Sequence, residues 1–100
     1  MFTFPPSLVP GLGSFTLNVS VIVPTAIGIL VQRRVHGRLV TVGRVPLGRR
    51  HAGRNRIRWD LRVNGRRLAP GIYYVRVRLL DRHGHVYELS RPIRIRVRRG

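Results

Sequence analysis

The sequence has 100 residues, of which 43% are hydrophobic, and a formal net charge of +17. This length fits one domain with one modest core, and the hydrophobic fraction is that of a folded chain rather than a disordered one. The absence of cysteine excludes disulfides, thiol nucleophiles and thiolate metal sites. All 20 basic residues are arginine, whereas the carboxylates are only Asp60, Asp81 and Glu88.

Most arginines therefore have no carboxylate partner of their own. Their charge must be solvated, neutralised by counterions or turned towards an anionic partner. The complete absence of lysine also fits a genome-wide codon bias, because a binding surface needs only positive charge. The composition leaves both explanations of the arginine content open.

The first 13 residues contain three prolines and two glycines. They predict an extended lead-in (residues 1–13) before the folded domain (residues 14–100). No basic segment follows Met1, so no secretory signal is recognisable. We expect either a cytosolic chain or a part of a longer protein.

Residues 14–31 form the longest apolar stretch, and a membrane segment is one explanation of it. Asn18, Ser20 and Pro24 dilute the stretch, and its apolar residues follow a two-residue rhythm from Phe15 to Val23. Two strands with Pro24 at their junction explain this pattern better. The second strand covers residues 26–34.

A hairpin is predicted next, because His36-Gly37 separates residues 26–34 from a third β-rich run at 38–45. Residues 46–54 contain one proline and two glycines and predict a connecting loop. No segment of the chain shows a sustained helical period.

The later strands place apolar side chains on one face and arginine on the other. This alternation occurs at residues 56–59, 72–80 and 93–98, with a further strand beginning near Val86 and a break at Pro92. The turn between the last long strands contains Gly84. These features predict an all-β fold of six or seven short strands, arranged as a sandwich or a small barrel.

Trp59 and Asp60 end an inward-facing strand. An indole at that position should fill the core, where such a ring buries on the order of 200 Å². The Asp60 carboxylate can accept backbone N–H bonds and hold the following turn. As a general base it would lack a second polar partner nearby in sequence, so the turn-holding role is favoured.

Three further features predict the path between residues 60 and 73. Asn64-Gly65 supplies a turn with positive φ, and Pro70-Gly71 sets the entry to the next strand. Tyr73 faces inward at the start of that strand and can close a tyrosine corner by bonding to the backbone.

These residues give the chain a resemblance to the Ig-like domain of bacterial flagellar hook-capping (FlgD-like) proteins, which also occurs in secreted and surface proteins. The pattern elements present are Ala52-Gly53, Ile57, Trp59-Asp60, Asn64-Gly65, Pro70-Gly71, Tyr73, Asp81 and Gly84. The family's glycine after Trp-Asp is Leu61 here. The resemblance implies an Ig-like or fibronectin III-like antiparallel β-sandwich of six or seven strands. It also implies a non-enzymatic structural, spacer or adhesion module at a bacterial cell surface or outside the cell.

No catalytic, cofactor or metal site is predicted. The four histidines are scattered over turns, and the spacing of Asp81, His83 and His85 is better explained by an exposed turn than by a metal site.

The candidate binding residues are instead arginines. If the last two long strands are neighbours, one outer face carries Arg76, Arg78, Arg94, Arg96 and Arg98. We expect this face to contact neighbouring domains, other subunits or an anionic polymer, and exposed edge strands to allow self-association. The alternative is a nucleic-acid-binding domain associated with the ribosome or nucleoid, although no RRM, KH or helix-turn-helix signature is present. Nonspecific, salt-sensitive nucleic-acid binding is expected in either case.

Overall fold

The structure is a computed structural model that describes residues 1–99 and consists of strands and turns. Gly100, the last residue of the predicted domain, lies outside the described residues. The strands in chain order are β1 (Ser7–Pro10), β2 (Phe15–Val21), β3 (Thr25–Val35), β4 (Arg38–Arg50), β5 (Gly53–Trp59), β6 (Arg62–Val63), β7 (Arg66–Arg67), β8 (Gly71–Leu80), β9 (Val86–Leu89) and β10 (Ile93–Val97).

Two antiparallel sheets form the two layers of a sandwich. One sheet has the order β1-β2-β5, and the other has the order β10-β8-β3-β4 with β9 also paired to β8. Strands β6 and β7 form a separate small hairpin. The predicted fold class is confirmed, and the seven predicted strands are all present. The short strands β1, β6 and β7 were not predicted.

The core lies between the inner faces of the two sheets. Strand β2 alternates buried and half-buried residues along its whole length, and β8 does so from Ile72 onward. Strand β5 alternates buried and exposed residues from Arg54 onward. The most completely buried large side chains come from β2, β3 and β8: Leu17, Val19, Val21, Ile27, Ile29, Val31, Val75, Val77 and Leu79. The inward row predicted to reach Val23 ends at Val21, because β2 stops there and Val23 is 47% exposed.

The predicted loop at residues 46–54 is wrong. Strand β4 continues through Pro46 to Arg50, and β5 begins at Gly53. Pro46 is tolerated because β4 is the edge strand of its sheet, where one missing N–H breaks no inner ladder. The turn at His36-Gly37 is present, and both residues have positive φ.

The lead-in is part of the sandwich, contrary to the prediction of an extended segment without an element of its own. Residues Ser7–Pro10 form β1 against β2, and Phe2 makes an isolated bridge to Val21. Phe2 and Leu8 pack against the core cluster. The prolines suggested a loop. Strand β1 tolerates them because it is an edge strand that pairs with β2 alone.

Strands β9 and β10 share the same edge of β8, and Ser90 lies in the gap between them. The Ser90 amide donates to the Val77 carbonyl over 2.9 Å, and the Val77 amide donates to Ser90 Oγ over 2.8 Å. The amide and the hydroxyl of Ser90 thus continue the ladder beyond Leu89, where β9 ends, and Pro92 follows before β10 begins. The predicted break at Pro92 is confirmed.

The corner between β5 and β8 is built around a strained residue. Leu61 has a φ of 66°, a region that bulky side chains rarely adopt, and yet its side chain is only 3% exposed. Its carbonyl accepts a 2.9 Å hydrogen bond from the Leu68 amide. The backbone thus keeps a glycine-like conformation although the glycine of the FlgD-like pattern is absent.

Leu61 allows a test of this balance between strain and burial. Leu61→Ala should reduce the free energy of unfolding by about 2–5 kcal/mol, because it removes the buried side chain. The Cβ at positive φ, and therefore the strain, stays as in wild type. Leu61→Gly loses the same side chain but relieves the strain, so we expect it to be more stable than Leu61→Ala by about 1 kcal/mol. Urea unfolding of the two variants measures the difference. The usual order, with alanine more stable than glycine, would contradict this account.

Candidate interaction face

The Trp59 and Asp60 side chains are engaged in building the corner. Trp59 is 3% exposed, and its Nε1 donates to the Arg62 carbonyl over 3.1 Å. Asp60 Oδ1 accepts the Arg62 amide over 3.1 Å, and Asp60 Oδ2 lies 3.5 Å from Arg62 Nε. The indole of Trp59 therefore binds the carbonyl of Arg62, and the carboxylate of Asp60 binds its amide. This arrangement holds the turn that carries Leu61.

The other motif residues surround that corner. Asn64 and Gly65 both have positive φ and form the two-residue turn of the β6–β7 hairpin. The Tyr73 hydroxyl donates to the Ala69 carbonyl over 2.8 Å, so it ties the start of β8 to the loop before it. Gly71 opens β8 with a φ of 151°.

Asp81, His83 and His85 lie in the turn between β8 and β9. Asp81 Oδ1 accepts the amides of His83 over 2.8 Å and His85 over 2.9 Å, and its Oδ2 lies 3.7 Å from His85 Nδ1. These bonds, that of His85 above all, lower the pKa of the Asp81 carboxyl. Within residues 1–99 no group of three histidine or acidic side chains has the arrangement of a metal site.

Each of the three carboxylates has a local partner. Asp60 pairs with Arg62, Asp81 contacts His85, and Glu88 lies 3.5 Å from the ammonium group of Met1. Among the described residues, Arg62 is thus the one arginine with a carboxylate oxygen within 4.0 Å. The rest of the arginine charge lacks an internal counter-charge.

Six arginines share the outer surface of the five-stranded sheet, which we call the arginine face. Its members are Arg34, Arg44, Arg76, Arg78, Arg94 and Arg96. The register sets Arg94 opposite Tyr74 and Arg96 opposite Ile72. Four of the five arginines proposed from the sequence therefore lie together, whereas Arg98 follows the end of β10 and lines a shallow depression beside Pro70 and Gly71.

Arg76 and Arg78 are half-buried on this face. Arg76 Nε donates to the Ser90 carbonyl over 2.9 Å, which directs its guanidinium towards the β9–β10 edge. Arg78 lies across Gly28, where an added Cβ would come within 3.4 Å of its Nη2. Burial, and then the charge of Arg44, lower the pKa of the Arg78 guanidinium. An anion beside this pair would relieve the repulsion between them.

Arg34 and Arg44 were missed from the sequence. Arg34 lies over the ring of Tyr74, with its Cζ 5.4 Å from the ring centroid, which is a cation–π contact. Arg44 is opposite Leu30, which is in turn opposite Arg76. Arg34 and Arg44 both lie in β-rich runs that the sequence predicted as a hairpin, but the strand order, which places β3 of that hairpin beside β8, was not predicted.

The part of the chain that the structure describes contains no helix of the length and apolar character needed to cross a membrane.

The two sheets and the corner between β5 and β8 define an Ig-like antiparallel β-sandwich. No protein-family model and no curated protein matches the chain. Among solved structures the chain is similar to FlgD from P. aeruginosa, with a TM-score of 0.57 and 22% sequence identity over 96% of this chain and 71% of that one. At this identity the likeness establishes the fold, which is the FlgD-like fold that the sequence motifs indicated.

The Tyr73 hydroxyl gives a test of the corner. Tyr73→Phe should reduce the free energy of unfolding by about 1 kcal/mol, because it removes the bond to the Ala69 carbonyl and keeps the buried ring. Thermal and urea unfolding measure this loss. Tyr74→Phe, in the same strand but facing outward, is the matched control and should be nearly neutral. Equal effects of the two substitutions would show that the corner bond contributes nothing.

Asp81 gives a prediction of pH dependence. Its pKa is lower in the folded state, so the carboxylate stabilises the fold fully above the unfolded-state pKa of about 4, and this contribution is lost as the pH falls through the lowered folded-state pKa. Asp81→Asn keeps an acceptor oxygen but not the charge. We expect wild type to be more stable than Asp81→Asn at neutral pH, and the two to converge in acid. A difference that is independent of pH in urea unfolding would contradict this.

Proposed function

We propose that this chain is a non-catalytic β-sandwich interaction module whose arginine face binds an anionic partner. The observation that supports this most strongly is the set of six arginines on one sheet surface with all three carboxylates engaged elsewhere. The guanidinium groups on such a surface repel one another, and a bound counter-charge stabilises the surface by reducing this repulsion.

The proposal that the module is non-catalytic rests on how the candidate catalytic groups are used. The Asp60 and Asp81 carboxylates each accept backbone amides of their own turns. A general base or nucleophile needs a second polar side chain positioned beside it. The hydrogen-bond partners of these two carboxylates are backbone amides, which hold turns and do not activate a catalytic group.

An anionic partner is favoured over a second copy of the chain. The exposed edge strand β5 presents Arg54, Arg56 and Arg58 on its outer side. Pairing β5 with its copy would bring two such rows together, and like charges at facing positions of a sheet are destabilising. An acidic protein or an acidic polymer would instead be attracted to the arginine face.

A bacterial cell-surface or secreted location is part of the proposal. The FlgD-like motifs support it, together with the shared fold of FlgD from P. aeruginosa. The module would then serve as a spacer, adhesion or assembly unit that contacts neighbouring domains or subunits.

Nucleic-acid binding in a ribosome- or nucleoid-associated protein is the second candidate, and the high positive charge favours it. Sequence-tolerant recognition of single strands also needs aromatic rings on which bases stack. Tyr74 is the aromatic residue on the arginine face, and Arg34 already lies over its ring. This contact makes base stacking there less favourable than binding of acidic groups alone.

A salt series with two probes, heparin and random-sequence duplex DNA, tests the proposal. Arg94→Gln/Arg96→Gln removes two exposed charges from the arginine face, and Arg66→Gln/Arg82→Gln removes two from the β6–β7 hairpin and the 81–85 turn. We expect the face variant to bind both probes more weakly than the control variant. For DNA, the slope of log affinity against log salt should fall by about two.

Two results would contradict the proposal. Equal losses in the face and control variants would mean that net charge alone determines binding. Tight binding of DNA or RNA that survives physiological salt and prefers one nucleic-acid shape would establish the second candidate instead.

A further inference from the structure

A polar groove lies on the opposite side of the sandwich from the arginine face. It has a volume of about 320 Å³ and lies between the lead-in and the outer face of the three-stranded sheet. Its floor consists of Asn18 and Ser20 from β2 and Arg54 and Arg56 from β5. The volume is at the lower end of that of small-molecule sites, roughly 300–1,000 Å³.

The register of β2 and β5 brings these four side chains together. Ser20 is paired with Arg54, and Asn18 is paired with Arg56, so both pairs project from the same outer face. Directly paired residues have Cβ atoms about 5 Å apart, and residues two apart on one strand are separated by about 7 Å. The floor is therefore a patch with two guanidinium groups beside an amide and a hydroxyl.

The lead-in forms the wall of the groove and is held in place by the backbone. The Thr3 amide donates to the Ser20 carbonyl over 2.9 Å, and Ser7 in β1 is paired with Asn18. Ser7 adds a second hydroxyl to the groove, and Phe4, which is 62% exposed, is also one of its lining residues. An aromatic residue thus lines the groove together with a set of hydrogen-bond donors.

The electrostatics of the groove favour an anion. Its lining contains no carboxylate, and all three carboxylates of the chain have partners elsewhere. Guanidinium groups bind phosphate and sulfate oxygens through paired N–H donors, and hydroxyl and amide groups add further donors. A carboxylate-free set of such donors is complementary to a tetrahedral oxyanion.

We propose that this groove binds a phosphate or sulfate ester whose attached ring packs against Phe4. Arg54 and Arg56 hold the anionic group, with Asn18, Ser20 and Ser7 as additional donors. This site is independent of the arginine face, so each proposal can fail without the other.

Calorimetric titration at low ionic strength with four probes tests this site: AMP, glucose 6-phosphate, inorganic phosphate and adenosine. The two esters should bind more tightly than inorganic phosphate, and adenosine should not bind. Comparison of AMP with glucose 6-phosphate distinguishes a nucleotide from a sugar ester as the natural ligand. Arg54→Gln/Arg56→Gln should weaken ester binding by about tenfold or more, because charge-assisted hydrogen bonds are lost.

Two variants make the test specific. Arg58→Gln is the matched control, because Arg58 lies on the same strand and face but opposite Thr16, outside the groove. Its single substitution should change affinity by less than about twofold. Phe4→Ala should abolish the preference for esters over inorganic phosphate and leave phosphate affinity unchanged. The side-chain amide resonances of Asn18 should shift on addition of AMP in wild type.

Each contrary result overturns this site. It is refuted if the esters do not bind, if Arg54→Gln/Arg56→Gln binds them as wild type does, or if Arg58→Gln loses as much affinity as that variant. Binding that is lost in Arg94→Gln/Arg96→Gln but not in Arg54→Gln/Arg56→Gln would refute the groove while leaving the proposed function intact.

Discussion

The whole fold depends on keeping arginine out of its interior. A guanidinium that is buried without a partner costs several kcal/mol, and this chain has 20 arginines and three carboxylates. A strand solves this problem because its successive side chains point to opposite faces, so apolar residues and arginines can alternate along it. Where burial does reach a guanidinium, as at Arg78, its pKa falls and its Nε lacks a hydrogen-bond partner.

This constraint explains why so much of the fold was predictable. A two-residue rhythm of apolar residue and arginine fixes both the strand and the face that it buries, as in Ile57 and Trp59 of β5. The turns were also predictable, because Asn64-Gly65 and His36-Gly37 adopt positive φ, which few other residue types accept. The FlgD-like motif added the order of these elements.

The errors came from contacts that are not local. Proline in β4 and in the lead-in suggested loops, but both segments pair along one edge only, where a missing N–H does no damage. Leu61 adopts a positive φ because the corner around it is over-determined by Trp59, Asp60 and Tyr73. Four of the six members of the arginine face followed from strand alternation, whereas Arg34 and Arg44 needed the strand order.

The gap at Ser90 has a consequence for how the molecule opens. One edge of β8 is covered by two short strands, β10 against residues 71–75 and β9 against residues 78–80, and a single serine joins the two stretches. We therefore expect each short strand to detach while the other remains paired. Amide hydrogen exchange along β8 should therefore follow two separate opening reactions, with the Val77 amide reporting on the serine between them.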